Sequence, residues 1–161
     1  MHRVAQFVGH LRASVAPEEE AVARRLLPVT AWPLYESMPI ADRRHAHDVV
    51  DRLLAAGVDD GDALVAALLH DAAKGERVRL WHRVAGVLLD AFAPGLLRRL
   101  ARDDVRSWRY PFHLYLHHDA LSALLARQAG SSERAAALIE GSVTEADARI
   151  LRALRAADDA S

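Results

Sequence analysis

Ala66-Ala67-Leu68-Leu69-His70-Asp71-Ala72-Ala73-Lys74 is an apolar run that ends abruptly in charge. Asp59-Asp60-Gly61-Asp62 just before it reads as a turn. A helix is therefore predicted over Ala63–Asp71, with an imidazole and a carboxylate at its end. Ala, Leu, Arg and Glu dominate on both sides, and β-branched runs are short. Nearly the whole chain reads as helix on that basis, so the predicted fold class is all-α, a single-domain helical bundle.

The flanking elements follow from their caps and stops. A first helix is predicted over Arg3–Ala13. Pro17 followed by Glu18-Glu19-Glu20 marks a second start, with acids near the positive helix end. Pro33 and Pro39 bracket a short piece, Leu34–Met38. Asp42 is predicted to cap a helix that runs to Ala56 and stops at Gly57, with Val49, Val50, Leu53 and Leu54 as its buried stripe. Later helices are predicted over Leu80–Phe92, Gly95–Ala101 and Phe112–Gln128. Ser131 is read as the cap of Glu133–Glu140, and Thr144 with Asp147 as a capping box for a last helix to Ala157.

Bulk composition narrows the function classes. The 161 residues fit one domain, large enough to bury a core. Apolar residues make up 52% and charged residues 27%, which argues for a folded chain. A net charge of −1 gives no electrostatic reason to expect nucleic-acid binding. The chain has no cysteine, which excludes disulfides and thiolate metal sites and makes a reducing cytoplasm the natural expectation. No signal peptide or membrane span is expected. Arginine greatly outnumbers lysine; Lys74 is the only lysine, three positions after the His-Asp pair.

Two imidazoles and two carboxylates, His45, His70, Asp71 and Asp158, form a candidate set for one divalent ion. Such a mixed nitrogen and oxygen set suits Mn, Fe, Co, Ni or Zn, with Mg also open, and favours octahedral coordination with water in the free positions. A bound cation lowers the pKa of its water and polarises a phosphoryl oxygen, as phosphoester hydrolysis requires. The ligands would converge from distant helix ends in a bundle.

The order His…His-Asp…Asp resembles the HD-domain superfamily of metal-dependent phosphohydrolases. His45-Ala46-His47-Asp48-Val49 matches the family's first histidine with a valine four residues on, and places His47 off register. Ala66–Asp71 matches the apolar run with its His-Asp pair. Ala72-Ala73-Lys74 keeps the lysine of the usual I-G-K and lacks the glycine. Ala157-Asp158 matches the late A-D pair. The likeness spans Asp42 to Asp159, which makes 42–161 the HD domain and 1–41 an N-terminal helical extension packed on the core. It implies metal ligation by His45, His70, Asp71 and Asp158, with Asp71 and Lys74 as catalytic groups. It also implies a small phosphorylated substrate such as a nucleotide, with a homo-oligomer open. Lys74, Arg77, Arg79, His82 and His118 are the candidate substrate contacts.

Departures limit the likeness. The G-Y-P motif of HD-type cyclic-dinucleotide phosphodiesterases is absent, and Lys74-Gly75 replaces the acidic pair of guanosine tetraphosphate hydrolases. Ile139-Glu140-Gly141-Ser142 stands where many relatives carry further histidines. A second ion would need His82, His117 or His118. Three bland alternatives stand beside the metal set. His70-Asp71 could be a helix C-terminal pair, His47 could replace His45, and Asp159 could replace Asp158. A non-catalytic module that binds metal, nucleotide or a protein partner is the alternative function.

Overall fold

Seven consecutive residues, Ala63–Leu69, are buried, so the helix that carries them has no solvent face. The structure, a computed structural model, describes residues 14–75, 77–78 and 80–161; the predicted helix Arg3–Ala13 and Arg79 lie outside them. Within the described residues the chain runs through α1 (Pro17–Leu26), α2 (Trp32–Glu36), α3 (Ile40–Ala55), α4 (Gly61–Leu69) and α5 (Leu80–Phe92). It continues through α6 (Pro94–Leu100), α7 (Tyr110–Gln128), α8 (Glu133–Glu140) and α9 (Ala148–Ala160). Two short 3₁₀ turns precede α2 and α9, and no strand occurs among the described residues. The fold is all-α.

The buried helix is α4, and α1, α3, α7, α8 and α9 all pack on it. Ala23 of α1 and Tyr35 of α2 share one apolar cluster with Val49, Leu68, Leu138 and Leu154. Helices α5 and α6 form a side layer that rests on α7. The α5–α7 contact needs a glycine: a Cβ on Gly86 would lie 2.7 Å from the Tyr115 ring. Three stops are of the Schellman type, and in one of them Ser142 N–H reaches Ala137 O (3.0 Å) across Gly141 (φ +80°). Val58 N–H reaches Leu53 O (2.9 Å) across Gly57 (φ +76°), and Ser131 N–H reaches Ala126 O (2.9 Å) across Gly130 (φ +87°).

Three predicted caps are placed differently. Helix α3 starts at Ile40, because the Pro39 carbonyl accepts from the amides of Asp42 and Arg43 (2.9 and 3.0 Å); Asp42 lies buried in the first turn. Ser132, not Ser131, caps α8: its Oγ accepts from Ala135 N–H at 3.0 Å, while Ser131 is buried behind it. Thr144 makes no side-chain cap bond, and Asp147 is drawn instead to Arg134, at 2.8 Å from Nη2. A guanidinium fork offers a carboxylate two charged donors, which a lone amide does not.

Arg134 is the hub of the far end of the bundle. Its guanidinium also meets Asp60 (2.8 Å) and Asp62 (3.1 Å), so the start of α4, the start of α8 and the approach to α9 share one cation. Asp60 is itself the cap of α4, accepting from Ala63 N–H at 3.1 Å.

One polar pair lies inside the apolar core. The Tyr35 hydroxyl and His47 Nε2 are 2.9 Å apart, both nearly inaccessible to water. Burial lowers the His47 pKa below its ordinary value and pushes that of Tyr35 up to about 12, so both groups are neutral at pH 7. Tyr35→Phe should leave the buried His47 nitrogen unpaired and cost about 1–2 kcal/mol in urea unfolding. A variant as stable as the parent would show that this pair contributes nothing.

Candidate metal centre

The C-terminal end of α4 is where charge enters the core. The helix was expected to reach Asp71 but ends at Leu69. Beyond it the pairing tightens: Ala72 N–H goes to Leu69 O and Lys74 N–H to Asp71 O, both at 3.0 Å. Ala73 N–H leaves the helix pattern altogether and donates to Ser122 Oγ on α7 (3.0 Å). That bond pins the His70–Lys74 turn to α7. Ser122 is wholly buried, and a serine inside a long helix gave no sequence signal of this role.

His70 is oriented by its own helix. Its Nδ1 lies 2.9 Å from Ala67 O. A carbonyl only accepts, so Nδ1 carries the proton and Nε2 faces inward. There it stands 3.4 Å from Asp158 Oδ1 and 3.6 Å from Asp71 Oδ1. His45, in the second turn of α3, places Nε2 at 2.8 Å from the same Asp158 oxygen. The two imidazole rings are 5.3 Å apart. His45, His70 and Asp158 can each offer one ligand atom, and those atoms lie within 4.8 Å of one another. The three arrive from α3, the end of α4 and the end of α9.

The off-register candidates separate cleanly. His47 is two residues from His45, about 200° round the helix, and is engaged with Tyr35. Asp159 is exposed beside Asp158 and is not in the cluster.

Asp71 stands next to the three-ligand group. It is 1% exposed, with Lys74 Nζ 2.5 Å from Oδ1. Its Oδ2 and the His70 Nε2 are buried without a hydrogen-bond partner. On the α7 side His118 brings Nε2 to 3.9 Å from Asp71 Oδ1 and 3.0 Å from Asp119 Oδ1, with its Nδ1–H donated to Tyr115 O (2.9 Å). His118 and Ser122 are one turn apart on α7, so a single helix face closes the second side of the site.

His45, His70 and Asp158 could hold a metal ion, and the charges around them follow from burial and from one another. Burial opposes the charge on His70, but Asp71 and Asp158 outweigh it and push the ring up to about 9. Burial likewise opposes ionisation of Asp71, yet Lys74 and His70 hold its carboxyl far below the usual range. Asp158 is also held well below that range: the hydrogen bond from His45 and the His70 ring 3.4 Å away outweigh its desolvation. Burial and the Lys74 charge lower His118, leaving it neutral at pH 7. Two ionised carboxylates therefore converge on two imidazoles. An orphaned nitrogen and an orphaned oxygen in such a set fit a divalent cation of the first transition row, which would satisfy both. Asp158 is half exposed, which leaves one side open to water.

The remaining candidates lie elsewhere. Arg77 donates to Val105 O (2.6 Å) and lies over the Tyr110 ring, tying two loops together. His82 is buried, tilted against Trp81 and edge-on to Phe112. Arg79 lies outside the described residues. The chain matches no protein-family model, no curated protein and no solved structure. No helix among the described residues is long and apolar enough to cross a membrane.

Two outcomes follow from this geometry. His70→Ala should lose stoichiometric Mn or Zn on elemental analysis of chelator-free protein, while His47→Gln keeps it; equal metal content in both variants would contradict the ligand assignment. In chelator, the His70 proton stabilises the fold below its unfolded pKa of about 6.5, and that stabilisation is lost as pH rises through 9. Urea unfolding of the metal-free protein should therefore show stability falling between pH 7 and 10, and the fall should be smaller in His70→Gln. A flat profile would remove the buried imidazolium.

Proposed function

We propose that the chain is a metal-dependent phosphohydrolase of the HD-domain type, acting on a nucleotide or another small phosphoester. The observation that supports this reading best is the meeting of His45, His70 and Asp158, from three separate helices, beside the buried Asp71–Lys74 pair. His45, His70 and Asp158 would hold the ion, with Asp71 as a fourth ligand. A divalent cation bound there supplies Lewis acidity and a water acidified toward neutral pH.

The chain's own groups divide the rest of the work. Asp71 is held ionised at neutral pH, so it serves as ligand and as acceptor that orients the attacking water, and is a weak base. His118 is the neutral imidazole beside it, with the Nε2 lone pair toward Asp71 and the Nδ1–H fixed on Tyr115 O. It takes the water proton at Nε2 as the oxygen attacks phosphorus and the ester P–O bond breaks. Asp119, 3.0 Å away, stabilises the resulting imidazolium. Lys74 leaves Asp71 for the phosphoryl oxygens, whose negative charge grows in the transition state.

A panel of nucleotides and simple phosphomonoesters, assayed with added Mn or Co, is the direct test. Turnover is expected, with Asp71→Ala inactive and His118→Gln lowering kcat about 100-fold while metal content is retained. Asp71→Ala turning over as fast as the parent would overturn the catalytic reading.

A further inference from the structure

The side layer leaves a helix face uncovered. On α5, His82 and Gly86 point inward and are buried. The opposite side carries Trp81, Val84 and Leu88, spaced i, i+3, i+7, and ends at Phe92; these are 52%, 51%, 52% and 83% exposed. That spacing is the seam by which one helix packs against another. Val87 flanks the seam. Trp108 extends it: Trp81 and Trp108 both stand edge-on to the Phe112 ring, at 6.1 and 6.4 Å.

Area identifies the occupant. At ~150–250 Å² for a fully exposed large apolar side chain, the six present on the order of 700 Å². That exceeds the few hundred Å² of scattered apolar patch usual on a monomer. It is close to the ~800 Å² that each partner contributes to a standard-size interface. A seam with bulky aromatics at both ends, Trp81 at one and Phe92 at the other, and small branched residues between is self-complementary when reversed. Antiparallel pairing about a two-fold near Val87 sets Trp81 of one copy over Phe92 of the other.

We infer that α5 is the homodimer interface of this protein, with a second copy packed antiparallel on the Trp81–Val84–Leu88–Phe92 seam. The inference is independent of the proposed chemistry, since no metal-cluster residue lies on this face.

The absence of cysteine from the chain makes the geometry directly testable. Analytical ultracentrifugation of the full chain should give twice the 17.7 kDa protomer mass at micromolar concentration. Leu88→Glu should raise the dimer dissociation constant at least about 100-fold while circular dichroism stays unchanged. Val87→Cys, near the two-fold, should form an intermolecular disulfide on mild oxidation, and Val29→Cys, exposed on the opposite layer, should not. Should Leu88→Glu fail to fold, the Val87→Cys cross-link still decides. A chain that stays monomeric at 100 µM, or dimerises with no Val87→Cys cross-link, overturns the inference. So does a chain that dimerises only after residues 1–13 are removed, since that would make the N-terminal segment the occupant.

Discussion

An ionised carboxylate at the end of the most buried helix is the constraint around which this structure is arranged. Asp71 follows eight consecutive buried residues, Ala63–His70, and is itself almost wholly inaccessible. A charge there is tolerable only when surrounded by compensating groups. Lys74 comes from the same turn and His70 from the preceding residue. Asp158 then adds a second negative charge and binds the two histidines from α9. Helices α3, α7 and α9 each bring a polar group to the C-terminal end of α4. In the metal-free state a proton on His70 performs the neutralisation; a divalent cation in the same place would relieve both carboxylates at once.

The opposite end of α4 is built on the reverse arrangement. There one cation, Arg134, serves three carboxylates, Asp60, Asp62 and Asp147. This hub fixes where α8 and α9 begin. Because α9 is about 20 Å long, its start at Arg134 determines where Asp158 arrives at its end. The long reach from hub to cluster explains how a residue 113 positions away from His45 meets it at hydrogen-bond distance.

Much of the arrangement was legible in the chain, and the misses share one physical origin. Helices were readable from local signals: Gly57, Gly130 and Gly141 stop helices where their spacing says they should. His45, His70 and Asp158 were readable as a set because the order of residue types carries chemistry that spacing alone does not. The caps at Asp42, Ser131 and Thr144 were misjudged because tertiary partners decided them. Pro39 supplies its carbonyl one turn earlier, Ser132 takes the Ala135 amide while Ser131 is buried, and Arg134 claims Asp147. Ser122 and the Tyr35–His47 pair were invisible for the same reason, since their partners are 49 and 12 residues away. His47 in particular shows how a fallback ligand is removed by a bond no local pattern announces.

Anomalous diffraction from crystals grown with Mn tests the central claim most directly. The account predicts one peak about 2.0–2.3 Å from Nε2 of His45, Nε2 of His70 and a carboxylate oxygen of Asp158. Crystals at full Mn occupancy elsewhere, with His45 and His70 still bridged only through the Asp158 carboxylate, would contradict it.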